Sequence, residues 1–259
     1  MARTSRKTSS TGVYRVMIRG NNKQEIFKNR QDKRVFYNIL TRTKAKYGFK
    51  IYAYAFMGNH VHLLLKEPEL GLVSAFMHDL ETAYVVWFNA VHRQSGHLFQ
   101  GRFKSKPVEN NEYLANVVRY IHQNPVKSGY CRHPRDYKYC SYYEFFSEKP
   151  GLIDPDDVFA VINRDEFEKF NLSRITGNDL KFLDVNDITK PHVPDQIAFD
   201  EMRSISQCSD GLQLLGLGMD EIFAAFRKFR KRGFSYRQIA EFILRSKSTT
   251  YRMVNSAVN

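Results

Sequence analysis

A chain of 259 residues that is 42% hydrophobic and 14% aromatic can bury a sizeable core, which excludes wholesale disorder. It contains no run of about 18 apolar residues, and MARTSRKTSS at its start leads into no apolar stretch, so a cytosolic protein without a membrane span is expected. The net charge of +13 is uneven, at +12 over residues 1–50, +2 over 51–149, −7 over 150–210 and +6 over 211–259, which suits a polyanion held by both ends of the chain better than an evenly solvated basic surface.

Val13 to Arg19 (VYRVMIR) mixes β-branched and polar residues and runs into Gly20-Asn21-Asn22, which predicts a strand and a turn. A basic helix is expected over Asp32 to Tyr47, with Val35, Phe36, Ile39 and Leu40 as its apolar stripe and Gly48 as its stop. Phe49 to Phe56 and Val61 to Lys66 read as central strands joined through Met57-Gly58-Asn59. From residue 70 to 92, Leu72, Phe76, Leu80, Tyr84 and Phe88 fall at helical spacing, and Ser95-Gly96 breaks the pattern. A short strand over Lys104 to Val108 and a helix over Asn111 to Asn124 follow, with Pro125 expected to end the helix because the residue before a proline disfavours it.

The resulting order, β-α-β-β-α-β-α, predicts an α+β fold of the ferredoxin-like, split β-α-β kind with an antiparallel sheet, filling residues 1–149. Residues 150–210, acidic and broken by Pro150-Gly151, Asp154-Pro155 and Pro191 to Pro194, are expected to be a connector with short helices. Within them and before them, Cys131, Cys140 and Cys208 form no Cys-x-x-Cys pair, so neither a disulfide framework nor a thiolate zinc site is expected. Periodicity returns with Ile222, Phe223, Phe226 and Phe229 and stops at Gly233. Ser235 to Gln238 matches a capping box, and Ser246 can cap a last helix from Lys247, so residues 211–259 predict a small all-α, helix-turn-helix domain.

His60-Val61-His62 opens a predicted strand, where side chains two apart share a face and two imidazoles can meet one ion. Histidines merely hydrogen-bonded at a strand end would look the same. Tyr120 and Asn124 lie one helical turn apart, so a phenol can stand beside a metal held by the amide, although a buried tyrosine with its hydroxyl at the surface fits the same spacing. Arg102, Lys104 and Lys106 share one face of an extended segment and can follow phosphates, or can simply guard an edge strand.

Taken together, GNHVHLLL from Gly58, GHLFQGRFKS from Gly96, RYIHQNPVKSG from Arg119 and YRVMIRGN from Tyr14 resemble the REP-associated tyrosine transposases, relatives of the small single-tyrosine insertion-sequence enzymes. The resemblance spans about residues 12–147. It implies a His-hydrophobe-His endonuclease in which His60, His62 and Asn124 bind Mg²⁺ or Mn²⁺. Tyr120 would attack single-stranded, hairpin-forming DNA and leave a 5′-phosphotyrosine and a free 3′-hydroxyl, so that strand transfer can follow. Arg19 and Arg119 join Arg102, Lys104 and Lys106 as implied DNA contacts. The chain departs from the family pattern at Arg15, where a histidine is usual, at Gly58, where proline is frequent, and over Ala83 to Val86, which lacks the usual arginines.

The C-terminal run resembles helix-turn-helix domains of bacterial regulators and recombinases. By that resemblance, Lys247, Thr249, Thr250 and Arg252 would meet phosphates or base edges of duplex DNA. Two other readings stand beside the leading one: a domesticated DNA-binding regulator without strand transfer, and a metal phosphodiesterase that uses water. Both monomer and homodimer remain open.

Overall fold

The computed structural model describes residues 7–149, 151–173 and 195–258. The chain divides into two compact units, Met1–Lys127 with Cys131–Ile188, and Ser128–Tyr130 with Thr189–Asn259.

The first unit is built on four strands, β1 (Val13–Arg19), β2 (Lys50–Phe56), β3 (His60–Lys66) and β4 (Lys104–Pro107), in the order β2-β3-β1-β4 with every neighbouring pair antiparallel. Helix α1 (Arg30–Tyr47) separates β1 from β2, α2 (Val73–His92) separates β3 from β4, and α3 (Asn111–Lys127) follows β4. This is the expected α+β, ferredoxin-like arrangement with one added helix. Among the described residues no helix is long and apolar enough to cross a membrane.

Alternation along the strands gives the two faces different chemistry. One face carries Tyr54 and Phe56, which meet the apolar sides of α1 and α2. There Phe36 lies 5.0 Å from Tyr84 and 5.1 Å from Phe56, ring centre to ring centre. Edge-on and tilted aromatic contacts of this kind fill a core with fixed geometry. On the other face the register sets Arg19 opposite His60, Met17 opposite His62 and Lys104, and Arg15 opposite Leu64 and Lys106. From β2, Ala55 stands opposite His62 and Ala53 opposite Leu64. These two small side chains leave room for α3 to lie against β2 and β3.

The ends of α1 are fixed by its own sequence. Asn29 accepts from the backbone N–H of Gln31 and Asp32 (2.8 and 3.1 Å), while the Asp32 carboxylate accepts from Lys28 and Asn29 (2.6 and 3.2 Å). This reciprocal capping starts the helix at Arg30, two residues before the expected Asp32. Gly48 closes it in the left-handed region at φ 71°. Gly20 has a different reason to be glycine, since a Cβ there would stand 2.1 Å from the carbonyl oxygen of Gln24.

Two expectations change. Helix α3 does not stop before Pro125 but carries it in its last turn and ends at Lys127. A proline there costs the Ile121 carbonyl its partner, and that loss is tolerable within a turn of the helix end, where carbonyls are unpaired in any case. The acidic segment is also less of a connector than its composition suggests. Residues 151–173 fold onto the first unit: Asp154 donates its N–H to the Ile51 carbonyl (2.7 Å), Lys44 and Lys50 pair with Asp154 and Asp157 (2.7 and 2.9 Å), and Phe167 is buried. Their acidic residues partner the basic surface of α1 and β2. Pro191 to Pro194 lie outside the described residues.

In the second unit, α5 (Asp195–Ser206), α6 (Gly211–Leu215), α7 (Met219–Arg232), α8 (Tyr236–Phe242) and α9 (Lys247–Val258) follow α4 (Phe167–Leu172) of the first. Their core joins Met202, Leu214, Ile222, Phe226, Phe229, Phe234, Ile239, Phe242 and Val254. Residues 195–210, expected in the connector, therefore contribute to this core. Gly233 ends α7 at φ 100°, and Ser235 and Gln238 form the capping box of α8.

Candidate active site

The site lies where α3 crosses the polar face of the sheet. His60 and His62 extend from the first turn-proximal positions of β3, both essentially inaccessible, with ring centres 4.9 Å apart. The Tyr120 ring on α3 meets the His62 ring edge-on at 5.5 Å. Arg15 of β1 lies over that tyrosine ring, its guanidinium carbon 4.6 Å from the ring centre, and the Lys127 ammonium approaches the same ring at 5.7 Å. Arg15, Arg19, His60 and His62 thus share one buried, electropositive face with the candidate nucleophile.

The hydrogen bonds say which atoms are available. His60 Nδ1 pairs with Asn59 Oδ1 at 2.7 Å, and Asn59 is itself tied to the Lys23 carbonyl at 3.3 Å. An amide oxygen accepts only, so Nδ1 carries the proton and the lone pair sits on Nε2, the usual way a neighbour sets the tautomer of a metal-binding histidine. In His62 both ring nitrogens are buried without a hydrogen-bond partner. Burial first, then His60, Arg15 and Arg19, push its imidazolium well below the ordinary histidine value, so it stays neutral with a lone pair to offer. Asn124 donates its amide N–H to the Tyr120 carbonyl at 3.1 Å, which leaves the amide oxygen as the atom for a cation. Among the described residues no three His, Cys, Asp or Glu side chains converge, so a metal here would rest on two imidazoles and an amide. Two imidazoles, that of His62 neutral and without a hydrogen-bond partner, and an amide oxygen fit a divalent ion chemically.

The other sequence candidates separate. Lys104 and Lys106 fall on the same sheet face as the histidines, Lys104 exposed and Lys106 half-buried. Arg102 is exposed and lines a groove of about 520 Å³ with Glu81, Val86 and His97. Arg119, expected at the DNA, is turned inward: it donates to Asn116 (2.8 Å) and Ser173 (2.6 Å) and covers the Phe170 ring at 4.7 Å. Thr250 is likewise buried and donates to the Ser246 carbonyl at 3.0 Å, while Thr249 pairs its hydroxyl with Ser246 at 2.8 Å to cap α9. Arg252 is exposed on α9, which Lys247 opens, the latter's side chain lying outside the described residues.

Two features were not anticipated. Arg15 figured in the sequence only as a departure from a family pattern, although its even spacing from Arg19 already put both on one strand face. Behind α3, His122 is buried with Nδ1 bonded to Asn171 (2.7 Å) and Nε2 to Ser141 (3.0 Å). Ser141 in turn accepts from the Tyr54 N–H of β2 at 2.9 Å, so the helix bearing Tyr120 is tied to the sheet edge and to α4 by polar bonds that span distant sequence.

A REP-associated tyrosine transposase assignment is carried by a Haemophilus influenzae protein that is 29% identical over 119 residues, covering 42% of this chain and 67% of the relative. The solved structure of a REP-associated tyrosine transposase bound to a REP hairpin aligns with 61% of this chain and 93% of its own, at 17% identity and a TM-score of 0.49. A transposase-assigned protein of Deinococcus radiodurans aligns with 48% of this chain and 95% of its own, at 16% identity and a TM-score of 0.34. Residues 8–124, from the approach to β1 through Asn124, match the family described as Transposase IS200 like.

Proposed function

We propose that the first unit cleaves and rejoins single-stranded, hairpin-forming DNA through a covalent bond to Tyr120. The observation that carries this reading is the meeting of the Tyr120 ring with the edge of the His62 ring at 5.5 Å, on the one sheet face that also holds His60, Arg15 and Arg19.

In this reading the Tyr120 oxygen attacks the scissile phosphorus. A tyrosyl P–O bond forms, the bond to the 3′ oxygen breaks, and the released 3′-hydroxyl takes up a proton while the phenol loses one. The product is a phosphodiester, so a later 3′-hydroxyl can reverse the step without a nucleotide cofactor. Mg²⁺ or Mn²⁺ held by His60, His62 and Asn124 would supply Lewis-acid polarisation of a non-bridging phosphate oxygen. Arg15 and Lys127 bring positive charge to the ring that must approach an anion, and Arg19, Lys104 and Lys106 extend that charge along the sheet face. The sheet and α3 together keep the nucleophile in one orientation, which is where most of a positioning advantage arises. The second unit, a helix-turn-helix candidate through α8 and α9, serves as an accessory contact to duplex DNA, with Arg252 on α9 among its exposed cations.

The test is a denaturing gel of the full chain incubated with Mn²⁺ and a labelled hairpin oligonucleotide. A protein–DNA adduct is expected for the native sequence and none for Tyr120→Phe. An adduct that persists in Tyr120→Phe refutes the assignment, and tight hairpin or duplex binding without any adduct turns the reading to a DNA-binding regulator.

A further inference from the structure

On the sheet face turned away from the histidine pair, at the β2 edge, lies a pocket of about 370 Å³. Four cations line it, Arg30, Lys33 and Arg34 from α1 and Lys138 from the segment after α3, together with four aromatic rings that include Tyr37 and Tyr139, and no carboxylate is among the lining residues. Arg30, Arg34 and Lys138 are exposed. None of the three forms an ion pair with another described residue.

Lys33 is held differently. Its ammonium donates to the Tyr137 hydroxyl at 2.9 Å and sits 4.3 Å from the centre of the Tyr139 ring. Burial pushes it down to about 8, against the small opposing pull of Glu25. Three exposed cations beside a desolvated one make an arrangement that an anion relieves, because Arg30, Arg34 and Lys138 each gain a partner there.

The rings narrow the choice of anion. Tyr37 meets Tyr54 edge-on at 6.2 Å, Tyr54 stacks on Phe56 at 4.6 Å, and Tyr139 is half-buried at the rim. Aromatic faces beside a row of cations bind unpaired bases of any identity by stacking while the cations follow the phosphates. An acidic peptide would satisfy the charge and leave the ring faces unused. A duplex keeps its bases stacked and cannot enter a volume of this size.

We propose that this pocket takes one unpaired nucleotide of a DNA strand, its base against Tyr139 and Tyr37 and its flanking phosphates on Arg30, Arg34 and Lys138. The pocket is a second contact, separate from the histidine face, and it takes from the proposed function only that the partner is single-stranded. The sheet lies between the two sites, so a strand occupying both passes around the β2 edge.

The experiment uses the full chain carrying Tyr120→Phe in EDTA, with fluorescent heptathymidylate and with an abasic deoxyribose-phosphate oligomer of the same length. Removing one stacking partner by Tyr139→Ala raises Kd by about 5- to 150-fold, and Tyr139→Phe leaves it unchanged. Arg30→Ala with Arg34→Ala lowers the slope of log Kd against log salt by about 1.4, the value for two phosphates of a single strand. On the otherwise native chain, a 5-iodouracil strand crosslinks at Tyr37 or Tyr139, which keeps the test decisive if Tyr139→Ala fails to fold. Unchanged affinity and slope, crosslinks confined to the histidine face, abasic oligomer binding as tightly as heptathymidylate, or displacement by polyglutamate at matched charge each overturns the proposal. Because no cleavage occurs under these conditions, failure of adduct formation at Tyr120 would refute the proposed function and leave this result standing.

Discussion

Replacing His122 with glutamine tests whether the polar bonds behind α3 hold a neutral imidazole in the folded chain. Burial pushes His122 from 6.5 down to about 4, opposed by its bond to Asn171. The unfolded chain therefore binds a proton at a pH where the folded chain does not. Stability from this group is complete above 6.5 and is lost as pH falls from 6.5 toward 4. By pH 4.5 the loss amounts to about 2.5 kcal/mol, from a gap of two to three units at 1.36 kcal/mol each. His62 contributes acid sensitivity of the same sign, but it is present in both proteins and cancels in their difference. Glutamine does not titrate, and at neutral pH it costs roughly 1–3 kcal/mol through imperfect replacement of the bonds to Asn171 and Ser141. The chain's single tryptophan, Trp87, packs beside Tyr84 at 5.8 Å on α2, so its fluorescence follows unfolding of the first unit. Urea titrations at pH 7.5 and 4.5 should show His122→Gln losing about 2.5 kcal/mol less than the native chain on acidification. Equal losses in the two proteins would refute the account of a buried neutral histidine.

Other perturbations have distinct signatures. His60→Ala and His62→Ala are expected to abolish adduct formation with Mn²⁺ while oligonucleotide binding measured by anisotropy stays within the native range; cleavage by either variant removes the metal reading. Arg15→Gln takes away the guanidinium over Tyr120 and should slow single-turnover adduct formation by about 10- to 100-fold with little change in Kd, and an unchanged rate would show that Arg15 only packs. Asp32→Ala removes the carboxylate that caps α1 and meets His92 Nε2 at 3.0 Å, and should lower first-unit stability by roughly 2–4 kcal/mol in Trp87-monitored melting.

Much of this was legible in the sequence because it depended on local pattern. β1 is found over the residues its composition marks, and the Gly48 and Gly233 stops and the Ser235 cap appear where left-handed backbone and capping chemistry require them. The meeting of His60, His62 and Tyr120 was expected from motifs, whereas nothing local could reveal that residues 151–173 pack on the first unit. That segment is acidic and interrupted by proline, as linkers are, and its fit arises only when Asp154 and Asp157 meet lysines about a hundred positions away. Arg119 misled for a related reason. An arginine beside a candidate nucleophile reads as a phosphate ligand, but adjacent helical positions point in different directions, and this one points at Asn116 and Ser173.

Two buried histidines of the first unit give the clearest physical distinction between scaffold and site. His122 and His62 are both wholly buried and both held neutral by desolvation. A buried imidazole that serves only the fold is expected to find partners for both nitrogens, since each unsatisfied one costs about 1–3 kcal/mol. His122 does so, with an amide on one side and a hydroxyl on the other. His62 has neither, and the titratable and charged groups near it on the sheet face, His60, Arg15 and Arg19, disfavour its protonation. Folding alone would replace such a residue with leucine, as the facing apolar side of the sheet does at Leu63 and Leu65. A lone pair kept dry, neutral and unpaired beside a phenol is a local conflict that makes sense when an incoming group completes it.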